Sequence, residues 1–134
     1  MFQKTKNTVQ QGSVGLAAAI FYYQKLGWIV SIPTVDNQSY DLIVDNGTKL
    51  MTVQVKTSKY KQNGSYIVCI RRIRVNTTET KIHPMDKCDL VFVLCEDGSV
   101  YSVPYDKVTG TELRLNAKYN EFKVDNLNGN NPAG

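Results

Sequence analysis

The order of apolar and polar residues along the chain predicts one long helix followed by a series of short strands. Residues 9–26 favour a helix because the alanine run at 17–19 has high helix propensity. The apolar stripe of this helix is expected to consist of Val14, Ala18, Phe21 and Leu26. Gly27 follows as the expected C-cap.

Runs rich in β-branched and aromatic residues, bounded by turn residues, predict the strands. They are residues 28–32, 41–45, 50–57, 65–75, 89–96, 99–103 and 112–115. Asn-Gly or Asp-Gly pairs at 46–47, 63–64 and 97–98 are typical of hairpins, and residues 105–108 predict a short helical turn. The pattern therefore predicts one α+β domain in which a long N-terminal helix packs against one face of a sheet.

The chain of 134 residues, 42% of them hydrophobic, suits one domain with one core. The domain is expected over 1–125, and the polar segment 126–134 is expected to be a disordered tail. The longest apolar stretch, 16–23, is too short to span a bilayer, and the first residues carry no apolar signal core. We therefore expect a cytoplasmic protein with no membrane partner.

The net charge of +4 is small, but the basic residues are clustered. Lys59 and Lys61 lie close together, and Arg72 and Arg74 share one strand face, so these four are candidates for DNA contacts. A solvated, solubilising surface is the alternative. Three cysteines without CxxC spacing and one histidine make a zinc site improbable.

An acid, an amide and an amine interrupt two of the apolar strands. Side chains alternate along a strand, so Gln54 and Lys56 share a face. A two-residue turn at 46–47 places Asp41 diagonal to Gln54, whereas a four-residue loop places it directly opposite. Either register brings the three side chains to one face; a slip by one residue would separate them.

This group of side chains suits phosphodiester hydrolysis. A carboxylate and a neutral oxygen can hold Mg²⁺, and a neighbouring lysine can orient water or stabilise charge in the transition state. The alternative is a structural ion pair between Asp41 and Lys56 with a surface amide beside it, an arrangement common at protein surfaces.

The sequence Tyr40-Asp41, followed by Gln54-Val55-Lys56, resembles the motif of the PD-(D/E)XK nucleases. Glutamine at the second position resembles the branch of homing endonucleases associated with cyanobacterial group I introns. Residues 12–33 and 88–104 resemble the opening helix and later strands of that family. The resemblance implies a restriction-endonuclease-like domain with a central mixed β-sheet flanked by helix.

The resemblance also implies roles for the motif residues. Asp41 would be the principal metal ligand and a catalytic residue, Gln54 a ligand or water-holding residue, the Val55 carbonyl a backbone ligand, and Lys56 the catalytic lysine. The implied cofactor is Mg²⁺, for which Mn²⁺ is expected to substitute.

One position departs from the family pattern. Relatives often carry a glutamate in the first helix that contributes to the metal site, and Leu16 stands at the matching position here. Gln11, Ser13 or Asp36 could substitute, although each is more simply a polar loop or helix-end residue. The number of metals and the activity itself depend on this difference.

Three functions fit these features. The first is a metal-dependent homing-type endonuclease acting on double-stranded DNA. The others are a Holliday-junction resolvase, and a DNA-binding module that kept the fold but lost cleavage. Because one site cuts one strand, we expect a homodimer or homotetramer, with 89–96 and the hairpin at 97–98 as interface candidates. The alternative for 89–96 is a central strand that is simply buried.

Overall fold

The computed structural model describes residues 1–35, 39–70, 73–75, 80–82 and 88–128, without the side chains of 73–75 and 80–82. The elements in chain order are α1 (Thr8–Lys25), β1 (Ile29–Ser31), β2 (Leu42–Asp45), β3 (Leu50–Ser58), β4 (Lys61–Gln62), β5 (Ser65–Cys69), β6 (Ile73–Val75), β7 (Thr80–Ile82), β8 (Leu90–Cys95), β9 (Ser99–Pro104), a 3₁₀ helix (Tyr105–Lys107), β10 (Glu112–Arg114), a second 3₁₀ helix (Ala117–Phe122) and β11 (Lys123–Asn126).

The central sheet has six strands in the order β1-β2-β3-β8-β9-β11. All its pairs are antiparallel except β3 and β8, which run parallel, so the sheet is mixed. A smaller sheet has the order β10-β5-β4, and β6 pairs with β7. The expected α+β architecture with a central mixed sheet and a long N-terminal helix is confirmed.

Strand β8 separates two apolar cores. Phe92 and Leu94 point into the core shared with α1, whereas Val91, Val93 and Cys95 point into the core beneath the smaller sheet. These five side chains are fully buried. A strand that is apolar on both faces belongs inside a covered sheet, so the prediction that this strand forms an intermolecular interface is wrong.

At the hairpin at 97–98, the other interface candidate, Gly98 is buried by its own chain and Asp97 is exposed. Asp97 N–H donates to the Tyr66 hydroxyl at 3.1 Å, and Leu127 N–H donates to the Gly98 carbonyl at 2.8 Å. A Cβ built on Gly98 would lie 2.7 Å from the Asn128 nitrogen. The C-terminal strand is therefore packed over this hairpin. Asn126 still pairs with Ser99, and residues 129–134 lie outside the described part.

The buried face of α1 differs from the predicted stripe. Gly15, Ala18, Ala19 and Tyr23 are buried, whereas Phe21 is 58% exposed. Leu26, also predicted to be buried, is 45% exposed and caps the helix. The contact face is made largely of small residues, because α1 lies very close to the sheet, and small residues give a weak hydrophobic signal.

Gly15 allows this close approach, and its substitution provides a test. A Cβ at Gly15 would lie 2.5 Å from Thr57 Cγ2, and Thr57 is held by a 2.7 Å hydrogen bond from Gln11 Nε2 to its hydroxyl. We expect Gly15→Ala to lower the free energy of unfolding by about 1–3 kcal/mol through overpacking. The matched control is Gly12→Ala, which meets nothing within 4 Å and should stabilise by up to about 1 kcal/mol. Urea unfolding of both variants measures the difference; equal stability would contradict the close packing.

No helix in the described part of the chain is long and apolar enough to cross a membrane.

Candidate active site

The loop between β2 and β3 sets the register of the site. Asp45 pairs with Leu50, so the loop has four residues. The Asn46 side chain accepts hydrogen bonds from the N–H groups of Thr48 and Lys49 at 2.9 and 3.0 Å. Asp45 Oδ1 accepts another from Gly47 N–H at 2.8 Å. Side chains of this kind stabilise turns by replacing backbone partners.

This register places Asp41 directly opposite Gln54. Leu42 pairs with Val53, and Asp41 N–H donates to the Val53 carbonyl at 2.8 Å, one position before β2 begins. Of the two registers left open by the sequence, the four-residue loop is the observed one. Asp41 and Gln54 therefore lie on the same face of the sheet.

The carboxylate of Asp41 accepts a hydrogen bond that a backbone carbonyl of the neighbouring strand would accept in a continuous sheet. Its Oδ2 accepts a 2.7 Å hydrogen bond from Val55 N–H. Val55 lies on β3, two residues after Val53, the last β3 residue that pairs with β2. The N–H and C=O of one strand residue point to the same neighbouring strand, so the Val55 carbonyl also points to the Asp41 side. The carboxylate is thus fixed, and it has further lone pairs for a ligand.

Gln54 has a buried oxygen with no hydrogen-bond partner. The residue is 9% exposed, and its Nε2 donates to the Ser39 carbonyl at 3.5 Å. A carbonyl can only accept, so this contact assigns the nitrogen and leaves Oε1 as the unpartnered atom. An unsatisfied buried oxygen costs about 1–3 kcal/mol. A metal ion or an ordered water is the kind of group that would remove this cost.

Lys56 lies two residues beyond Gln54, half-buried on the same face of β3. The ion pairs within the part of the chain that the structure describes are Met1 with Glu96 and Lys25 with Asp125. Asp41 and Lys56 therefore do not form the structural ion pair considered as the alternative. Lys56 therefore lies on the same sheet face as Asp41 without an ion pair to it.

Leu16 stands in the position where relatives carry the helix glutamate. A recess of about 270 Å³ is lined by residues of α1 and by Asp41 and Val55. The lining residues from α1 are Val9, Gly12, Ser13 and Leu16. The departure seen in the sequence thus lies in the recess that Asp41 also lines, where an apolar side chain stands in place of a carboxylate.

The candidates for replacing that glutamate differ in placement. Ser13 lines the recess and donates to the Val9 carbonyl at 3.2 Å, whereas Gln11 donates to Thr57. Asp36 lies outside the described residues. The described residues contain no group of three or more histidine, cysteine, aspartate or glutamate side chains able to hold a metal. Any metal ligands beside Asp41 would therefore be oxygens of amide, hydroxyl or backbone groups.

The parallel pairing of β3 with β8 adds two residues that the sequence did not indicate. Asp89 Oδ2 accepts a 2.8 Å hydrogen bond from Thr52 N–H, and the Asp89 N–H donates back to the Thr52 carbonyl. Cys88 lies beside the Gln54 backbone, and burial raises the pKa of its thiol to about 11. The thiol is therefore neutral at physiological pH. Asp89 directly precedes β8, as Asp41 directly precedes β2, and this shared pattern was the sequence feature that could have indicated Asp89.

The candidate DNA contacts are only partly described. Lys59 and Lys61 are exposed at the hairpin that follows β3, and Lys61 Nζ lies 4.7 Å from the centre of the Tyr66 ring. Arg74 belongs to β6, but its side chain is not described, and Arg72 lies outside the described residues. The structure thus brings the two lysines to the end of the strand that carries Gln54 and Lys56.

Comparisons with known proteins show the family of the chain. The model of the PD-(D/E)XK endonuclease family matches residues 6–128. Among solved structures, the chain is similar to a bacterial homing endonuclease, I-Ssp6803I, with 34% sequence identity and a TM-score of 0.68. That similarity covers 82% of this chain and 78% of the other. No curated protein matches the chain significantly. Because the family match spans most of the sequence, the chain belongs to the PD-(D/E)XK endonuclease family.

Proposed function

We propose that the protein is a Mg²⁺-dependent endonuclease that hydrolyses phosphodiester bonds of double-stranded DNA as a homing endonuclease. The observation that carries this proposal is the convergence of Asp41, Gln54 and Lys56 on one sheet face, with a buried Gln54 oxygen that lacks a partner. Family membership and the 34% identity to a homing endonuclease support it.

The oxygens at the site fit a hard divalent cation. Asp41 and Gln54 would hold Mg²⁺ through their side-chain oxygens, with the Val55 carbonyl as a further ligand, and Mn²⁺ is expected to substitute. Mg²⁺ takes oxygen ligands and keeps several waters, so a site with few protein ligands is sufficient. When bound, the ion would supply positive charge that polarises the phosphate and makes water more acidic.

Asp41, Lys56 and Cys88 have different roles in the proposed reaction. Asp41 provides the negative charge that holds the cation, and its hydrogen bond from Val55 N–H keeps the carboxylate oriented. Lys56 lies on the same face and, without a carboxylate partner, can orient the attacking water or stabilise charge on the phosphate oxygens. Cys88 stays neutral, so it adds no charge that would oppose the phosphate.

Two cuts in a duplex require two copies of this site. A symmetric homodimer or homotetramer would place one site against each strand. Since β8 is buried on both faces, the contact would use a surface other than this strand. Light scattering at micromolar protein, with and without DNA, measures the assembly; a strict monomer in both would contradict this part of the proposal.

The apolar Leu16 beside Asp41 favours one alternative, a binding module that has lost cleavage. A DNA digestion distinguishes the homing endonuclease, the resolvase and the binding module. The protein is incubated with genomic DNA, a four-way junction and a plasmid, in Mg²⁺ or EDTA, and the new ends are sequenced. Cuts at few positions in linear duplex support the homing proposal. Cutting confined to junctions would indicate a resolvase, and binding without cutting would indicate the module.

The substitution Gln54→Glu tests whether this side chain is a metal ligand. Burial and the nearby Asp41 should raise the pKa of the new carboxyl above the ordinary value of about 4.3. The folded variant then binds a proton that the unfolded chain has released, so its stability falls as pH rises from about 4.3 through the raised pKa. Mg²⁺ should restore the stability and bind more tightly than to the wild type.

Thermal melts between pH 4 and pH 8, with and without Mg²⁺, and metal titrations measure both effects. The same change at an exposed amide on α1, Gln24→Glu, is the control and should show neither. Equal metal affinity in Gln54→Glu and the wild type would place Gln54 outside the ligand set.

A further inference from the structure

The outer face of the smaller sheet carries a row of side chains from β10, β5 and the residue just before β4. Ile67 N–H donates to the Tyr60 carbonyl at 3.1 Å, and Ile67 pairs with Arg114. Residues directly opposite one another share a face, so Tyr60, Ile67 and Arg114 lie on the same side. The opposite side of this sheet carries the buried Tyr66, Val68 and Leu113. Tyr60 is 65% exposed at one end of the row.

Arg114 is held in place by neutral groups. Its Nη2 donates to Gln62 Oε1 at 3.0 Å, and its Nη1 lies 3.5 Å from the Gln62 carbonyl. The arginine forms no ion pair with any carboxylate that the structure describes. A guanidinium has five donors in a fixed fork, so its orientation is set while its charge and several N–H groups are not compensated.

A recess of about 390 Å³ lies beside this arginine. Its polar lining consists of Thr109, Thr111, Glu112, Arg114, Asn116 and Lys118. Two cations face one acid there, and threonine hydroxyls can donate hydrogen bonds. Lys118 Nζ lies 5.5 Å from the centre of the Tyr119 ring, which restricts the amine. This combination of charge and donors suits a phosphodiester, whose two non-bridging oxygens share one negative charge.

The recess is connected to the catalytic strand through few residues. Ser58, two positions after Lys56 on β3, donates from its hydroxyl to the Ile67 carbonyl at 2.8 Å. Ile67 pairs with Arg114. Two residues of strand span about 7 Å, and neighbouring strands lie about 5 Å apart. The steps from Lys56 to Arg114 therefore add up to about 17 Å, which limits their separation to at most about five nucleotides at 3.4 Å each.

We propose that Arg114, oriented by Gln62, and the recess beside it bind a backbone phosphate of the substrate DNA several nucleotides from the cleaved bond. This inference rests on the proposed function. The occupant is duplex DNA because the surface is positively charged and lies on the sheet that follows the catalytic strand. A phosphate contact of this kind fixes the duplex against the protein and carries no sequence information.

The test measures binding to a fluorescent 30-base-pair duplex of mixed sequence, in EDTA so that nothing is cut, between 50 and 200 mM salt. Arg114→Gln should bind about tenfold more weakly at 50 mM salt, and the slope of log affinity against log salt should fall by about one. Arg114→Lys should retain the slope. Glu112→Gln should bind more tightly, because it removes the acid from the recess.

The matched control is Lys25→Gln, the same change of charge on α1, which packs on the opposite face of the central sheet. It should leave affinity within twofold of the wild type. If Arg114→Gln lowers the melting temperature strongly, the DNA affinity of Glu112→Gln is used instead. A Glu112→Gln affinity equal to that of the wild type would then overturn the inference. If the wild type binds DNA and Arg114→Gln has the same DNA affinity as Lys25→Gln, the inference is also overturned, while the proposed function stays intact. A wild type that binds no DNA would defeat both.

Discussion

Replacing Asp41 with asparagine is expected to abolish DNA cleavage while leaving the fold intact. The amide oxygen can still accept the hydrogen bond from Val55 N–H, so the local structure is kept. The variant loses the carboxylate charge that faces Gln54, and with it the main attraction for a divalent cation. We expect the cleavage rate to fall by at least about a thousandfold.

Initial rates on the sequence that the wild type cuts, together with a thermal melt, measure this effect. Asp45→Asn is the matched control, because Asp45 lies on the same strand face four residues away and serves the loop. That variant should cut at nearly the wild-type rate. If Asp41→Asn cut as fast as Asp45→Asn, the assignment of the metal site would be wrong.

Lys56→Met should lower the turnover number by about a hundredfold to a thousandfold, with little change in DNA affinity. Methionine keeps the apolar stem in its half-buried place and removes only the amine. An amine that stabilises charge in the transition state affects turnover, whereas a lysine that only attracts DNA affects binding.

Single-turnover rates and binding curves separate these two cases. Lys49→Met removes a charge from the exposed loop between β2 and β3 and is the control. A normal turnover number with weakened binding in Lys56→Met would reduce Lys56 to a DNA contact.

The local geometry of the site could be predicted from the sequence, because strand alternation and loop length are local properties. Alternation alone placed Gln54 and Lys56 on one face, and both permitted registers placed Asp41 beside them. The choice between the registers depended on hydrogen bonds that the side chains of Asn46 and Asp45 accept from loop N–H groups. The Asn-Gly pair indicates a turn but does not specify these bonds.

Features that depend on distant contacts were not predictable in this way. The parallel pairing of β3 with β8 brings Cys88 and Asp89 to the site across more than thirty residues. The same pairing makes β8 a central strand, which an apolar run cannot distinguish from an interface strand. The helix contact face was missed at Gly15 and Ala19 because close packing, and not hydrophobicity, selects small residues there.

Leu16 gives the site its particular character. With an apolar side chain in the recess, the negative charge at the proposed metal site would come from Asp41, and Gln54 would contribute a neutral oxygen. Lower charge should weaken metal binding relative to sites with two carboxylates. The buried, unpartnered Gln54 oxygen offsets part of that loss, because binding a cation satisfies it.

Cleavage by the wild-type protein in Mg²⁺ and in EDTA, measured on a pool of randomised duplexes and followed by sequencing of the ends, tests the central claim most directly. Asp41→Asn is run in parallel. The account predicts new ends at a small set of sequences in Mg²⁺, and none in EDTA or with the variant. Cleavage that continues in EDTA, or binding without cleavage in both Mg²⁺ and Mn²⁺, would contradict it.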